Sequence, residues 1–238
     1  MWMRPCAVLA ASSHCLHIQV LGSQRRDGHA SCELLGHGVK KPTCNFRLPL
    51  SLWRPVLTQA AVTRKIVPFF SEQPGEPYRE FSNWYEEGKG FDFVIPAYAW
   101  KSGFPRSVWC KHAEKAIMLT KAALMEDLET FKAIEKTQDP ETVKALGRKV
   151  TPFKSELWAK HLEETAFEIV RQKFEADEGL QQVLLSTGDA IICEASPWDR
   201  IWGIGIAVGD PRALEPAQWQ GRNVLGEALM RVRDHLRR

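Results

Sequence analysis

Lys111-His112-Ala113-Glu114-Lys115-Ala116-Ile117-Met118-Leu119-Thr120-Lys121-Ala122-Ala123-Leu124-Met125 reads as one helix with two different stripes. Ala113, Ala116, Ile117, Thr120, Ala123 and Leu124 recur at the i, i+3, i+4, i+7 spacing of a buried face. Beside them run Glu114, Met118, Lys121 and Met125, again at helical spacing, so a carboxylate and an ammonium flank a methionine on one side. A helix that buries one stripe and carries chemistry on the next sets the fold class as α-rich and makes this segment the first place to look for a site.

Reading outward, Asp127 is placed to cap a second helix through about Lys136. Asp139-Pro140 supplies a cap followed by proline at the first helical position, with Gly147 as the stop. Ser155 is placed to cap a long helix with Trp158, Leu162, Thr165, Ala166, Ile169, Lys173 and Phe174 on about one side, and Asn223 to cap a last helix striped by Leu225, Leu229, Val232 and Leu236. Strands are few and short: Ile66–Phe70, a small sheet with loops between Phe81 and Val108, and Ala190–Ala195 with its continuous apolar centre. Ile201-Trp202-Gly203-Ile204-Gly205-Ile206 reads as a further strand, whose glycines mark the close approach of another backbone or a ligand. The expected fold is α+β, predominantly α-helical, a single domain at 61–238 with small β-elements and a pocket walled by the first and third helices.

Residues 1–60 differ from this body. They hold seven Lys/Arg against two Asp/Glu, which leaves a net −2 for the rest of a chain whose total is +3. Bulk charge therefore does not mark a nucleic-acid binder. Four of the six cysteines (Cys6, Cys15, Cys32, Cys44) also lie there, with histidines, but without the paired short spacings of a structural zinc site, so no metal is expected. The segment reads as disordered; a mitochondrial targeting sequence and translation from upstream of the true start stay open. Cys110 and Cys193 in apolar or helical context read as buried thiols of an intracellular, cytoplasmic protein, and no apolar run is long enough to cross a bilayer.

From Phe69 to Leu236 the segments, in order, resemble the NADAR family, the NAD- and ADP-ribose-associated proteins that include YbiA. Phe81-Ser82-Asn83-Trp84 is similar to the family's F-S-N-F/W opening, and Ala113-Glu114 with Met118 and Lys121-Ala122 to its E-H-x-x-Q/M-x-x-K helix. Lys144-Ala145-Leu146-Gly147-Arg148 resembles its K-x-L-G-R element, Trp158 stands where a tryptophan recurs, and Lys173-Phe174 matches its K-F. Leu184–Asp189, Glu194–Pro197, Asp199–Gly205 and Gly221–Gly226 follow the pattern in order and spacing. Lys115 and Ala116 depart from the polar or aromatic pair that usually follows the glutamate, and Met125-Glu126 from a common Phe-Gly.

The resemblance implies a YbiA-like N-glycosidase that breaks a bond between ribose C1 and nitrogen. The substrate would be ADP-ribosyl guanine, free or in nucleic acid, or a ribosylamino-pyrimidine phosphate of riboflavin biosynthesis. No cofactor and no membrane partner is implied. Cleavage through an oxocarbenium-like state gains from a carboxylate near C1, a proton for the leaving nitrogen and an activated nucleophile. Glu114 is the first catalytic choice, Lys121 a pocket ammonium able to bind phosphate or attack an opened ribose, and Asp199 a holder of ribose hydroxyls or water. Phe81, Ser82, Asn83, Met118, Trp158, Trp202 and Gly203 are expected to contact the substrate, Arg148 and Lys173 its phosphate, and Asn223 to present backbone N–H groups at a helix start. Two readings from other classes stand beside this one: a non-catalytic ADP-ribose or nucleotide sensor, and an interaction domain using the basic end Arg231–Arg238.

Overall fold

The computed structural model describes residues 64–238; the expectations for 1–60 lie outside them. In chain order come β1 (Ile66–Phe69), β2 (Phe91–Val94), β3 (Ser107–Cys110), α1 (Ala113–Leu124), α2 (Leu128–Glu135), α3 (Pro140–Gly147), α4 (Ser155–Glu175), α5 (Glu178–Ser186), β4 (Ile191–Glu194) and α6 (Val224–Leu236). The strands form two separate pairs, β1 parallel to β4 with Phe69 opposite Glu194, and β2 antiparallel to β3. None of the described helices is long and apolar enough to cross a membrane.

Two apolar cores share the long helix. The first gathers Ile117, Leu119, Ala122 and Ala123 of α1 with Phe93, Phe131, Ile134, Val143 and Ile169 from β2, α2, α3 and α4. The second joins Leu162, Val170 and Phe174 of α4 to Phe69, Leu184, Ile192, Leu225 and Leu229. At 21 residues α4 is about 31 Å long, enough to run through both. Trp158 and Trp202, half-buried, pack against each core, so they wedge the two together.

The caps explain where most helices start. Asp127 accepts from the Thr130 amide at 3.0 Å and from Thr151 N–H at 2.9 Å, tying α2 to the chain that leads into α4. Asp139 and Asp177 begin α3 and α5 in the same way. Ser155 is the first residue of α4 rather than its cap, and Lys154 precedes it without a side-chain cap.

Two side-chain amides act as extra strand residues. Gln172 of α4 accepts from Val94 N–H at 2.8 Å and donates to Val94 C=O at 3.0 Å, covering the free edge of β2. Asn223 does the same for β4, accepting from Glu194 N–H at 3.1 Å and donating to Ile192 C=O at 2.9 Å. It sits at the cap position of α6 with φ 56°, but its side chain makes no cap hydrogen bond because the strand consumes it.

The segment 201–206 corrects the expected strand: it is irregular. Its backbone groups are matched one by one to separate partners, Ile204 N–H to Glu194 C=O, Asn223 N–H to Gly203 C=O and Leu225 N–H to Trp202 C=O. The glycines are nonetheless where chains touch. A Cβ at Gly203 would lie 2.7 Å from the Glu194 carbonyl oxygen.

Candidate active site

α1 begins where His112, buried, accepts the Lys115 amide on its ring, and where the Asn83 carbonyl accepts Glu114 N–H at 2.8 Å. These two contacts set the position of Glu114. Its side chain, 5% exposed, points into a cavity of about 210 Å³ together with Ile117 and Met118 of the same helix. Lys144 reaches the cavity from α3, Ser82, Asn83 and Trp84 from the loop after the Arg79–Phe81 turn, Glu194 from the end of β4, and Asp199 and Trp202 from the loop beyond it.

The helices approach closely at one glycine. A Cβ on Gly147 would stand 2.0 Å from Met118 Sδ, so α3 packs directly on the Met118 side chain where it brings Lys144 over the α1 face, and any larger residue would push that side chain aside. The Lys144 ammonium lies 5.1 Å from the Trp84 ring centroid, a cation–π contact at the cavity wall. In the loop after β4, Asp199 Oδ1 accepts from both Ile201 N–H and Trp202 N–H at 2.8 Å, which fixes the carboxylate and leaves Oδ2 for a ligand.

Burial dominates the electrostatics. It raises the Glu114 carboxyl above the usual range; Lys144, the Trp84 indole and Arg148 pull the other way, and Asp199 adds to the rise. Glu194 is pushed up to about 8, first by burial, then by the neighbouring Asp199 and Glu114 charges, against the attraction of Lys144. Neither Glu114 Oε1 nor Glu194 Oε2 has a hydrogen-bond partner, and among the described residues only Arg233 Nε joins them as a buried side-chain polar atom in that condition. A proton held between such carboxylates belongs to the cluster rather than to one residue.

The expected site residues divide by place. Glu114, Met118, Ser82, Asn83, Asp199 and Trp202 line the cavity, and Arg148 lines an outer cleft that opens from it. Lys121 does not reach it: seven residues along a helix is about 10.5 Å, so sharing an azimuth with Glu114 puts it two turns away. Its ammonium donates to the Gly147 carbonyl at 2.7 Å and stacks over Phe153. Phe81 turns into the second core against Phe69, Tyr78 and Phe174. Lys173 is buried and donates to the Glu80 and Ser82 carbonyls, both at 2.8 Å, so it holds the loop instead of facing a phosphate. Trp158 is a wedge between cores, Gly203 a backbone contact, and Asn223 a mimic of a strand residue.

The description of the NADAR domain matches residues 69–237, most of the chain. The chain belongs to the NADAR family. N-glycosidase R617 of Acanthamoeba polyphaga mimivirus is 38% identical over 122 residues, 51% of this chain and 72% of that protein. N-glycosidase Npun_R5314 of Nostoc punctiforme is 33% identical over 47% of this chain and 65% of its own length. Both relatives are thus named as hydrolases of N-glycosyl bonds. The NMR structure of the E. coli protein YbiA superposes with a TM-score of 0.54 over 76% of this chain and 90% of that one, at 22% identity, which shows the shared fold.

Within this NADAR domain, Trp84, Lys144 and Glu194 are the polar or aromatic cavity residues that sequence reasoning did not select, and Ile117, read only as a buried-face residue, lines it too. The first three stand inside motifs that carried the resemblance, Phe81–Trp84, Lys144–Arg148 and Glu194–Pro197. Lys115, a departure from the family pattern, is fully buried and donates to the Glu135 carbonyl at the end of α2, so packing between α1 and α2 absorbs it.

Proposed function

We propose that this domain, placed at 61–238, hydrolyses a ribose C1–N bond, with ADP-ribosylated guanine, free or in nucleic acid, as its substrate class. One observation carries the reading: Glu114, buried, and Glu194, half-buried, each hold a buried oxygen without a partner, and they line one sugar-sized cavity with Asp199. Unpaired buried polar atoms are costly, and they are kept where a ligand supplies the partner. The names of the two relatives agree with this chemistry.

In the proposed reaction Glu114 lies nearest C1, where its carboxylate stabilises the developing positive charge and takes a proton from the attacking water. The proton shared by the raised carboxyls, placed on Glu194 in this scheme, goes to the leaving nitrogen as the C1–N bond breaks. Water oxygen bonds to C1, and the products are the free base and a ribosyl group with a 1-hydroxyl. Asp199 Oδ2 holds ribose hydroxyls, Trp84 and Trp202 wall the sugar, and Lys144 with Arg148 meets the phosphate charge. Lys121 has no part, since its ammonium is spent on Gly147.

The test is turnover by the full chain and its Glu114→Gln variant on ADP-ribosylated guanosine and on ribosylamino-pyrimidine phosphate, with released base followed by chromatography. Guanosine release lost in the variant supports the proposal. Release only from the pyrimidine substrate moves the function to riboflavin intermediates, and ligand-induced stabilisation without release from either substrate favours the sensor reading.

A further inference from the structure

The inner cavity opens into an outer cleft of about 520 Å³, and the two share Ser82, Trp84, Lys144, Glu194 and Asp199. The inner volume of about 210 Å³ falls below the range of about 300–1,000 Å³ usual for a whole small-molecule site, while the outer one falls inside it. A substrate seated at Glu114 therefore has room to continue outward, past Lys144 and Arg148.

At the far end stand two aromatic side chains. Trp198 is 84% exposed and Phe70 37%, and both line the cleft. A solitary exposed aromatic is ordinary on a protein surface. Here two from distant parts of the chain, one after β1 and one in the loop after β4, meet with ring centroids 6.4 Å apart and planes tilted by 46°. That separation lies within the direct-contact range of about 4.5–7 Å, so the pair is closed on itself and no third ring enters between them. Phe70 buttresses the indole, and the outer face of Trp198 remains open. Glu72 also borders the cleft, but its carboxylate accepts from Gln73 Nε2 at 2.9 Å and from Ser82 Oγ at 3.4 Å, which engages both oxygens.

We propose that the outer cleft is a second subsite, in which a planar aromatic group stacks on Trp198 while the anionic linker joining it to the reacting ribosyl unit passes Lys144 and Arg148. The subsite rests on the proposed C1–N hydrolase reading and adds to it the side chain, Trp198, that takes the distal ring of the ADP-ribosyl substrate. Stacking on an open indole is sequence-tolerant and non-directional, so it adds affinity for the long ligand without touching the reacting atoms.

The test uses the full chain and its Trp198→Ala and Trp198→Phe variants, with binding measured by calorimetry against two probes, ADP-ribose, which carries a distal ring, and ribose 5-phosphate, which does not. The expected result is at least about tenfold tighter binding of ADP-ribose by the unchanged protein, about tenfold loss of that binding in Trp198→Ala, recovery in Trp198→Phe, and ribose 5-phosphate binding unaltered throughout. Equal binding of ADP-ribose by Trp198→Ala and the unchanged protein overturns the subsite, as does an equal loss for both probes or no ADP-ribose binding at all. Because Trp198 is exposed, melting temperatures should coincide and separate a lost contact from a lost fold. Turnover of ADP-ribosylated guanosine distinguishes the two proposals. Normal guanosine release with no effect of Trp198 removes the subsite alone, and the expected binding pattern without any release removes the hydrolase reading alone.

Discussion

Buried charge is treated in opposite ways in two regions of this molecule. Away from the cavity, the amino groups of buried Lys115 and Lys173 are hydrogen-bonded, one to the Glu135 carbonyl and the other to the carbonyls of Glu80 and Ser82. In the cavity, Glu114 is buried and Glu194 half-buried, and each keeps one buried carboxyl oxygen unmatched. Pairing these two lysines while leaving these two cavity carboxyls each an unmatched oxygen places the cost where a substrate can offset it. The lysines hold the walls still, and the carboxyls wait for a partner.

The largest effect expected from disturbing this arrangement is at Glu114. Glu114→Gln keeps the shape and removes the charge, and turnover of ADP-ribosylated guanosine should fall by about 10²–10⁴, the usual worth of general acid–base assistance, with the circular dichroism spectrum unchanged. Retained turnover would put the chemistry elsewhere.

Glu194→Gln should sharpen the contrast through two measurements at once. The amide gives up no proton, so turnover drops by about 10²-fold or more. In the unchanged protein turnover should decline as pH rises through about 8, where Glu194 loses its proton. Stability follows the same titration with a definite sign: the folded pKa of about 8 is raised above the ordinary value of 4.5, so between those values the folded state binds more protons than the unfolded one. This group's contribution is therefore whole below about pH 4.5 and is lost as pH rises through about 8. Thermal melts at pH 8 should show Glu194→Gln more stable than the unchanged protein, with the difference closing toward pH 4.5. A variant less stable at pH 8 would mean that Glu194 is paired after all.

On the lysine side, Lys173→Met leaves two carbonyls of the site loop without their donor. A loss of about 1–3 kcal/mol is expected, read as a lower melting temperature and a raised KM, since Ser82 and Asn83 line the cavity. Smallest of all should be Lys121→Met. With its ammonium outside the cavity, turnover should stay within about twofold, and borohydride should trap no covalent adduct with substrate.

How far the sequence revealed this arrangement depends on the kind of contact. Helical period places Glu114 and Met118 on one face, and the caps Asp127 and Asp139 mark their helices, because these are relations within a few residues. Period gives an azimuth but no height, which is why Lys121 shares a side with Glu114 and still misses the cavity. Lys144, Glu194 and Trp84 arrive from other elements, and the close packing of Gly147 on Met118 beside Lys144 is legible locally only as a helix stop. The glycines of 201–206 mark close backbone approach, as their spacing suggests, while the pairing that would make a strand is replaced by contacts to Glu194, Asn223 and Leu225. Phe81 and Lys173 sit in site motifs yet serve the frame: a motif records what must be near the site, and the side chain's direction comes from tertiary packing.

The most direct test of the unmatched carboxyls is a crystal structure of the Glu114→Gln variant with uncleaved ADP-ribosylated guanosine. The expected result is ribose C1 inside the cavity, within hydrogen-bonding reach of position 114, the leaving nitrogen beside Glu194 and the sugar hydroxyls on Asp199. A ligand bound instead in the groove between α4 and α6, against Glu163, Arg222 and Arg231, with the cavity untouched, would contradict it.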